Sequence, residues 1–295
     1  MSLLLPEKYP WKDRLNAEGV SCYSDFALEN RIRVAILNLM PEAETYELSL
    51  LIRLGKACQI LNSVQEREFV VEPLFIRSEI HTYTSSNPLH LRQFYQSFEM
   101  LITKQIPDRM IVTGAPVELL PFEKIRYWDE LKEILKFSRR EISATMGICW
   151  GAIALGKLLG IETQVFEKKI CGLYPTEIIA QNHSLFWEIE NGFLTPQSRY
   201  AGLNEESLSE HLQDKTVTVL GRNNDAGSFL CETSDKRFLM HAGHPEYTVE
   251  RILFEYHRDQ KNGKKNIPVN FNVVNPVENW YNDNNHLFCN WLKPL

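Results

Sequence analysis

Three short apolar runs constrain this chain most: Val34-Ala35-Ile36-Leu37, Met110-Ile111-Val112-Thr113 and Ile142 to Met146. The first is continuous, as suits a strand buried on both faces, and the other two read as strands as well. Helical stretches separate them, from about Glu44 to Ile60, from Leu89 to Ile102, and where Ile125, Trp128, Leu131 and Leu135 recur at helical spacing. A further strand is expected from Phe69 to Ile76. Strand and helix alternating in this way predict an α/β fold, a doubly wound, mostly parallel sheet flanked by helices, with ligands bound beyond the carboxyl ends of the strands. After Lys168 shorter strands follow near Glu177 to Ile179, Val217 to Leu220, Phe229 to Glu232 and Phe238 to His241, read as extensions of the same sheet. Residues 1–30 are mixed and Pro-containing and read as an N-terminal arm that wraps the domain. Residues 31–295 read as one α/β domain, because no composition shift, repeat or low-complexity tract divides them.

The stretch Gly147-Ile148-Cys149-Trp150-Gly151-Ala152 joins the strand ending near Met146 to a helix over Ala152 to Leu159. A G-x-C-x-G pattern at a strand-to-helix junction is the setting of a nucleophile elbow, where a strained turn leaves no room for neighbouring Cβ atoms. The alternative is a buried, inert thiol, since free cysteine is among the most buried residue types. A nucleophilic thiol needs a base and a group that orients the base. His241-Ala242-Gly243-His244-Pro245-Glu246-Tyr247 leaves a strand and enters a helix beginning near Thr248. In an extended segment residues i and i+2 project the same way, so His244 and Glu246 can share a face. Read alone, the cluster is also compatible with a hydrogen-bonded loop histidine. His241 and His244 form H-x-x-H with Glu246 nearby, but no third spaced ligand set accompanies them, so no metal is assigned.

Composition excludes several classes. The 295 residues are 44% hydrophobic and 24% charged, enough for one large core. The formal net charge of -6 argues against nucleic acid or an anionic membrane as partner, and the Lys261 to Lys265 cluster reads as a solvated loop. Six scattered cysteines without C-x-x-C pairing fit a reducing cytoplasm. The start lacks a basic n-region, and no segment is long enough to span a bilayer.

G-x-C-x-G followed far downstream by His-Pro-Glu resembles the Cys-His-Glu arrangement of class I glutamine amidotransferases. It is more closely similar to the homoserine O-acyltransferases of methionine biosynthesis, which share that fold. The closer resemblance covers almost the whole chain. It rests on Ile36-Leu37-Asn38-Leu39-Met40-Pro41, Val112-Thr113-Gly114-Ala115-Pro116-Val117-Glu118, Tyr127-Trp128, Ile148-Cys149-Trp150-Gly151-Ala152, Ser198-Arg199, Gly243-His244-Pro245-Glu246-Tyr247, Glu255-Tyr256-His257-Arg258-Asp259 and the final Leu287-Phe288-Cys289-Asn290-Trp291-Leu292.

The resemblance implies that Cys149 is the acyl-accepting nucleophile, His244 the general base and Glu246 the residue that orients it. It implies that Lys169, Ser198 and Arg258 contact the amino-acid substrate, and that Glu118 selects the acyl donor. Glu at that position resembles the acetyl-CoA users and Gly the succinyl-CoA users. A carboxylate there also repels the free carboxylate of a succinyl group. Judged by itself, Arg258 beside Glu255 reads as a solvated salt-bridge residue. The backbone N–H of Trp150 is the expected oxyanion donor, with a second from another loop. No bound cofactor is expected. The expected partners are small molecules, acetyl-CoA as co-substrate and a hydroxy amino acid, and the family resemblance implies a homodimer.

Some positions depart from the family pattern. Ile153 stands where Gln is usual, Glu42-Ala43 replaces a Lys pair, and Pro196-Gln197-Ser198-Arg199 replaces Pro-His-Ser-Arg. The chain is therefore read as a diverged member. L-serine is the rival acceptor to L-homoserine, because a pocket separates one methylene by only ~1–3 kcal/mol. Succinyl-CoA as donor, a glutamine amidotransferase-like hydrolase and a non-catalytic binding protein complete the alternatives.

Overall fold

Five parallel strands fill the middle of a ten-stranded sheet in the computed structural model, which describes residues 2–25 and 28–293. Across the sheet they run Val70–Ile76, Arg31–Leu37, Arg109–Val112, Ala144–Ile148 and Phe238–His241. The apolar runs are buried as expected: Val34, Ala35, Ile36, Met110, Ile111, Met146 and Ile148 are all fully enclosed. Each of these side chains larger than alanine contributes about 1.5–3 kcal/mol by leaving water. Helices Ala43–Val64, Trp128–Glu141 and Trp150–Leu159 follow the strands at Leu37, Val112 and Ile148, so the mostly parallel, helix-flanked α/β architecture is the observed one. None of the described helices is long and apolar enough to cross a membrane.

Both edges differ from the centre. On one side Leu3–Leu4 and Cys22–Tyr23 add two short parallel strands, so the N-terminal residues belong to the sheet rather than only wrapping it. On the other side Gly227–Thr233, Val217–Asn223 and Glu177–Ile178 pair antiparallel, beyond Phe238–His241. The strands expected after Lys168 therefore extend the same sheet, and Phe238–His241 lies inside it, parallel to Ala144–Ile148.

Two features depart from the expected pattern. The helix expected over 89–102 is two helices, Pro88–Phe94 and Phe98–Lys104. Tyr95 and Gln96 are extended between them, because the Gln96 amide donates to the Phe75 carbonyl (3.1 Å) and the Tyr95 hydroxyl is drawn to buried Glu47. Ser97 then caps the second helix through the Met100 amide (3.2 Å). The other feature is an antiparallel ribbon, Thr163–Pro175 with Leu194–Leu203, separate from the main sheet. Its first strand carries Glu167-Lys168-Lys169, a charged stretch that hides a strand signal.

Candidate active site

Neighbouring parallel strands release their chains at one carboxyl edge, and each delivers a part of the same cleft. Arg31–Leu37 leads to Met40, Arg109–Val112 to Gly114, Ala144–Ile148 to Cys149, and Phe238–His241 to His244. The cleft has a volume of about 600 Å³. The loops are tied together: the Leu39 amide donates to Thr113 Oγ1 (2.8 Å), and the Cys149 amide to the His241 carbonyl (2.9 Å).

Cys149 has φ 53° and ψ -116°, a left-handed conformation that side chains other than glycine rarely adopt. Such a residue costs on the order of 1–3 kcal/mol, supplied by the packing around it. The glycines on either side explain why the turn is possible. A Cβ on Gly151 would lie 2.1 Å from the Val112 carbonyl oxygen, and one on Gly147 2.5 Å from Gly151 backbone. Trp150 is the first residue of its helix, so its N–H has no intrahelical carbonyl to meet and sits at the positive end of the helix dipole beside Cys149. Gly114 approaches from the next strand, close enough that a Cβ there would lie 3.4 Å from Cys149 Cβ and 3.7 Å from His244 Cε1.

His244 and Glu246 do pair, but through a turn rather than an extended segment. The Tyr247 amide donates to the His244 carbonyl (3.1 Å) with Pro245 and Glu246 at the corners, and His244 Nδ1 meets Glu246 Oε1 at 2.7 Å. Burial would depress the His244 imidazolium, but the charge on Cys149 and the Glu246 carboxylate outweigh it and push the group up to about 10. The thiol and the imidazole are thus paired directly, by a side-chain hydrogen bond between Cys149 and His244. His241, by contrast, is wholly buried against Phe229 and pushed down to about 4 by that burial. Among the described residues no group of three or more His, Cys, Asp or Glu side chains is placed to hold a metal ion.

Lys169, Ser198 and Arg258 come together as well, and what joins them is the Glu255 carboxylate. Ser198 donates to Glu255 Oε2 (2.6 Å), Lys169 reaches Glu255 Oε2 (3.5 Å) and Asp259 Oδ2 (2.8 Å), and Arg258 forks onto both Glu255 oxygens (3.1 and 2.9 Å). Arg251 and the Tyr247 hydroxyl add contacts to Glu255 Oε1, each at 3.2 Å. Arg251, Glu255 and Asp259 recur every four residues along helix Val249–Lys261, so one helical stripe turns its charges inward. Burial works against the Glu255 carboxylate, yet Arg251, Lys169 and Arg258 hold it down at about 2. Lys169 is raised in turn, since Glu255 and Asp259 exceed the effect of its burial. Glu118 lines the same cleft and accepts from the Tyr200 amide (3.1 Å); burial raises it against the pull of that amide, His244 and Lys169.

Two further residues were not singled out by role from the sequence. Tyr247 stacks on the His244 ring (centroids 3.9 Å apart) while its hydroxyl reaches Glu255, so it connects the thiol side of the cleft to the charged side. Tyr46, wholly buried, donates to Glu246 Oε1 at 2.7 Å, the oxygen that also receives His244. The inward stripe was the signal available for Glu255 and Asp259; Tyr46 lies 200 residues from its partner and gave none.

The family model for homoserine O-succinyltransferase matches residues 2–294. A homoserine O-succinyltransferase of Photobacterium profundum is 32% identical, over 99% of this chain and 92% of that protein. A homoserine O-acetyltransferase of Agathobacter rectalis is 34% identical, over 89% of this chain and 83% of that protein. Among solved structures, a glutamine amidotransferase of Thermotoga maritima superposes with a TM-score of 0.52 at 15% identity, covering 88% of this chain and 96% of that one, a likeness of fold. With a converging cysteine, histidine and glutamate at the sheet edge and a family match along its whole described length, the chain belongs to the homoserine O-acyltransferase family, a family of acyltransferases.

Proposed function

We propose that the protein transfers an acetyl group from acetyl-CoA to the hydroxyl of L-homoserine through an acyl-cysteine intermediate on Cys149. The observation that carries this reading is the convergence of Cys149, His244 and Glu246 at the floor of a cleft also lined by Glu118, Lys169, Ser198 and Arg258.

In the first half-reaction the Cys149 thiolate attacks the thioester carbonyl, with the Trp150 N–H and an amide of the Gly114 loop as donors to the oxyanion. The carbon–sulfur bond to CoA breaks, and the departing thiolate takes the His244 proton. Neutral His244 then removes the proton of the acceptor hydroxyl, whose oxygen attacks the enzyme thioester. Cys149 leaves as a thiolate beside a reprotonated His244, which restores the starting pair. Glu246 stabilises the imidazolium and fixes its tautomer throughout. Lys169, Ser198, Arg258 and the Glu255 carboxylate they surround form a zwitterion-matching surface, suited to an amino acid's ammonium and carboxylate. Glu118 supports acetyl over succinyl, because a second carboxylate beside it would be repelled.

The test is thiol release by the purified protein, crossing acetyl-CoA and succinyl-CoA with L-homoserine, L-serine and L-threonine. Fastest turnover is expected for acetyl-CoA with L-homoserine. Preference for succinyl-CoA would overturn the role of Glu118, preference for L-serine the acceptor, and release in no combination the whole reading.

A further inference from the structure

The cations of the cleft are unequally engaged. Lys169, Arg251 and Arg258 are all held by Glu255 or Asp259. Lys264 also lines the cleft, and among the described residues it makes no ion pair. It is the cleft-lining member of an exposed basic run, Lys261, Lys264 and Lys265, that looked like a solvated loop in the sequence.

The loop is not free to drift. Helix Val249–Lys261 ends in a Schellman closure: the Gly263 amide donates to the Gln260 carbonyl (3.0 Å) and the Lys264 amide to the Asp259 carbonyl (2.9 Å), with Gly263 at φ 71°. This bends the chain back toward the cleft and satisfies two terminal carbonyls that would otherwise repel an anion. Lys264 Nζ then sits 5.1 Å from the centroid of the Tyr200 ring, a cation–π contact. Asn266 fixes the platform by donating to the Tyr200 hydroxyl (3.1 Å) and to Asp259 Oδ2 (2.8 Å). On the segment Met40-Pro41-Glu42, the cleft is lined instead by an exposed carboxylate, where an anion would be repelled.

From this asymmetry we infer that the Lys261–Lys265 loop, with Lys264 on Tyr200 at its centre, is the binding site for the phosphorylated nucleotide end of a CoA thioester. The inference rests on the proposed use of an acyl-CoA donor. The thioester lies at Cys149 and the phosphates lie at the mouth of the same cleft, on the side where a cation without a carboxylate partner waits. Tyr200 offers a ring that holds the lysine in place.

Two measurements on the full-length protein test it. In the first, acetyl-CoA is compared with acetyl-pantetheine, which lacks the nucleotide and its phosphates, for the native protein and for Lys264→Ala and a Lys261→Ala, Lys264→Ala, Lys265→Ala triple variant. The ratio of kcat/KM for acetyl-CoA over acetyl-pantetheine should fall about tenfold in the triple variant, less in the single one, and should fall in the native protein as salt is raised. In the second, binding of adenosine 3′,5′-bisphosphate is followed by calorimetry and should be lost in the triple variant. An unchanged ratio together with unchanged bisphosphate binding overturns the site while leaving acyl transfer intact. Bisphosphate binding that depends on the lysines, in a protein that transfers no acyl group, keeps the site and overturns the acyl-transfer reading.

Discussion

The two sides of the cleft are built by different means. On the thiol side, Cys149, Trp150, Gly114 and His244 are set by backbone: adjacent parallel strands in register, a left-handed cysteine, two glycines with no room for a Cβ, and a proline-containing turn. On the charged side, Lys169, Ser198, Arg251 and Arg258 come from a ribbon and a helix and are held by one buried carboxylate, Glu255. Reactive geometry is placed by the chain itself, where strain is supported by a close-packed sheet. Recognition is placed by charge compensation, which a ligand of matching charge can rearrange. Tyr247 couples the two, stacking on His244 and donating to Glu255.

Substitutions separate these two modes. The largest effect belongs to the thiol: Cys149→Ala should lower transfer on the order of 10⁴-fold, to the level left by binding alone, with the thermal midpoint little changed. Loss of activity accompanied by unfolding would mean that Cys149 is a core residue and not a nucleophile. Next comes Glu255→Gln, which strands Lys169, Arg251 and Arg258 without their shared anion and should cost about 3 kcal/mol in chemical denaturation.

The same carboxylate sets an acid limit. Its folded value is lowered to about 2 from an ordinary 4.5, so its stabilisation is complete above about pH 4.5 and is lost as pH falls through about 2. Acid titration of the native protein should show this loss and Glu255→Gln should lack it; identical acid curves would remove Glu255 from the centre of the cluster. On the thiol side, Tyr46→Phe deletes one hydrogen bond to Glu246 and should reduce kcat about tenfold with KM and thermal midpoint nearly unchanged. A change in KM alone would assign Tyr46 to recognition. The smallest effect is one of preference: Glu118→Gly should improve succinyl-CoA relative to acetyl-CoA by a factor of about five, roughly 1 kcal/mol, read from the ratio of kcat/KM values.

What could be read from the sequence follows the same division. Features written into a short stretch were legible: the apolar runs that became parallel strands, the glycine-flanked cysteine at the strand-to-helix junction, and His244 two residues from Glu246. The turn that joins those two was not, because an i, i+2 pair fits an extended chain equally well and only the Tyr247 amide bond distinguishes them. The surroundings of Arg258 and Glu255 were hidden for a different reason. A charged residue on a helix is normally solvated, and the stripe of Arg251, Glu255 and Asp259 does not by itself say that a ribbon carrying Lys169 and Ser198 will close over it. The ribbon was itself obscured by its charged run, Glu167-Lys168-Lys169, of which Lys169 belongs to the site. Tyr95, which interrupts an otherwise continuous helical pattern, answers to Glu47, 48 positions away, and such a tertiary pull overrides local propensity.

The central claim is that Cys149 carries the acyl group between donor and acceptor, and intact-protein mass spectrometry with peptide mapping tests it most directly. Incubated with acetyl-CoA and no acceptor, the protein should gain one acetyl group on the peptide containing Cys149, and should lose it when L-homoserine is added. Acyl transfer that proceeds with no adduct on Cys149, or an adduct that persists in Cys149→Ala, would contradict the account.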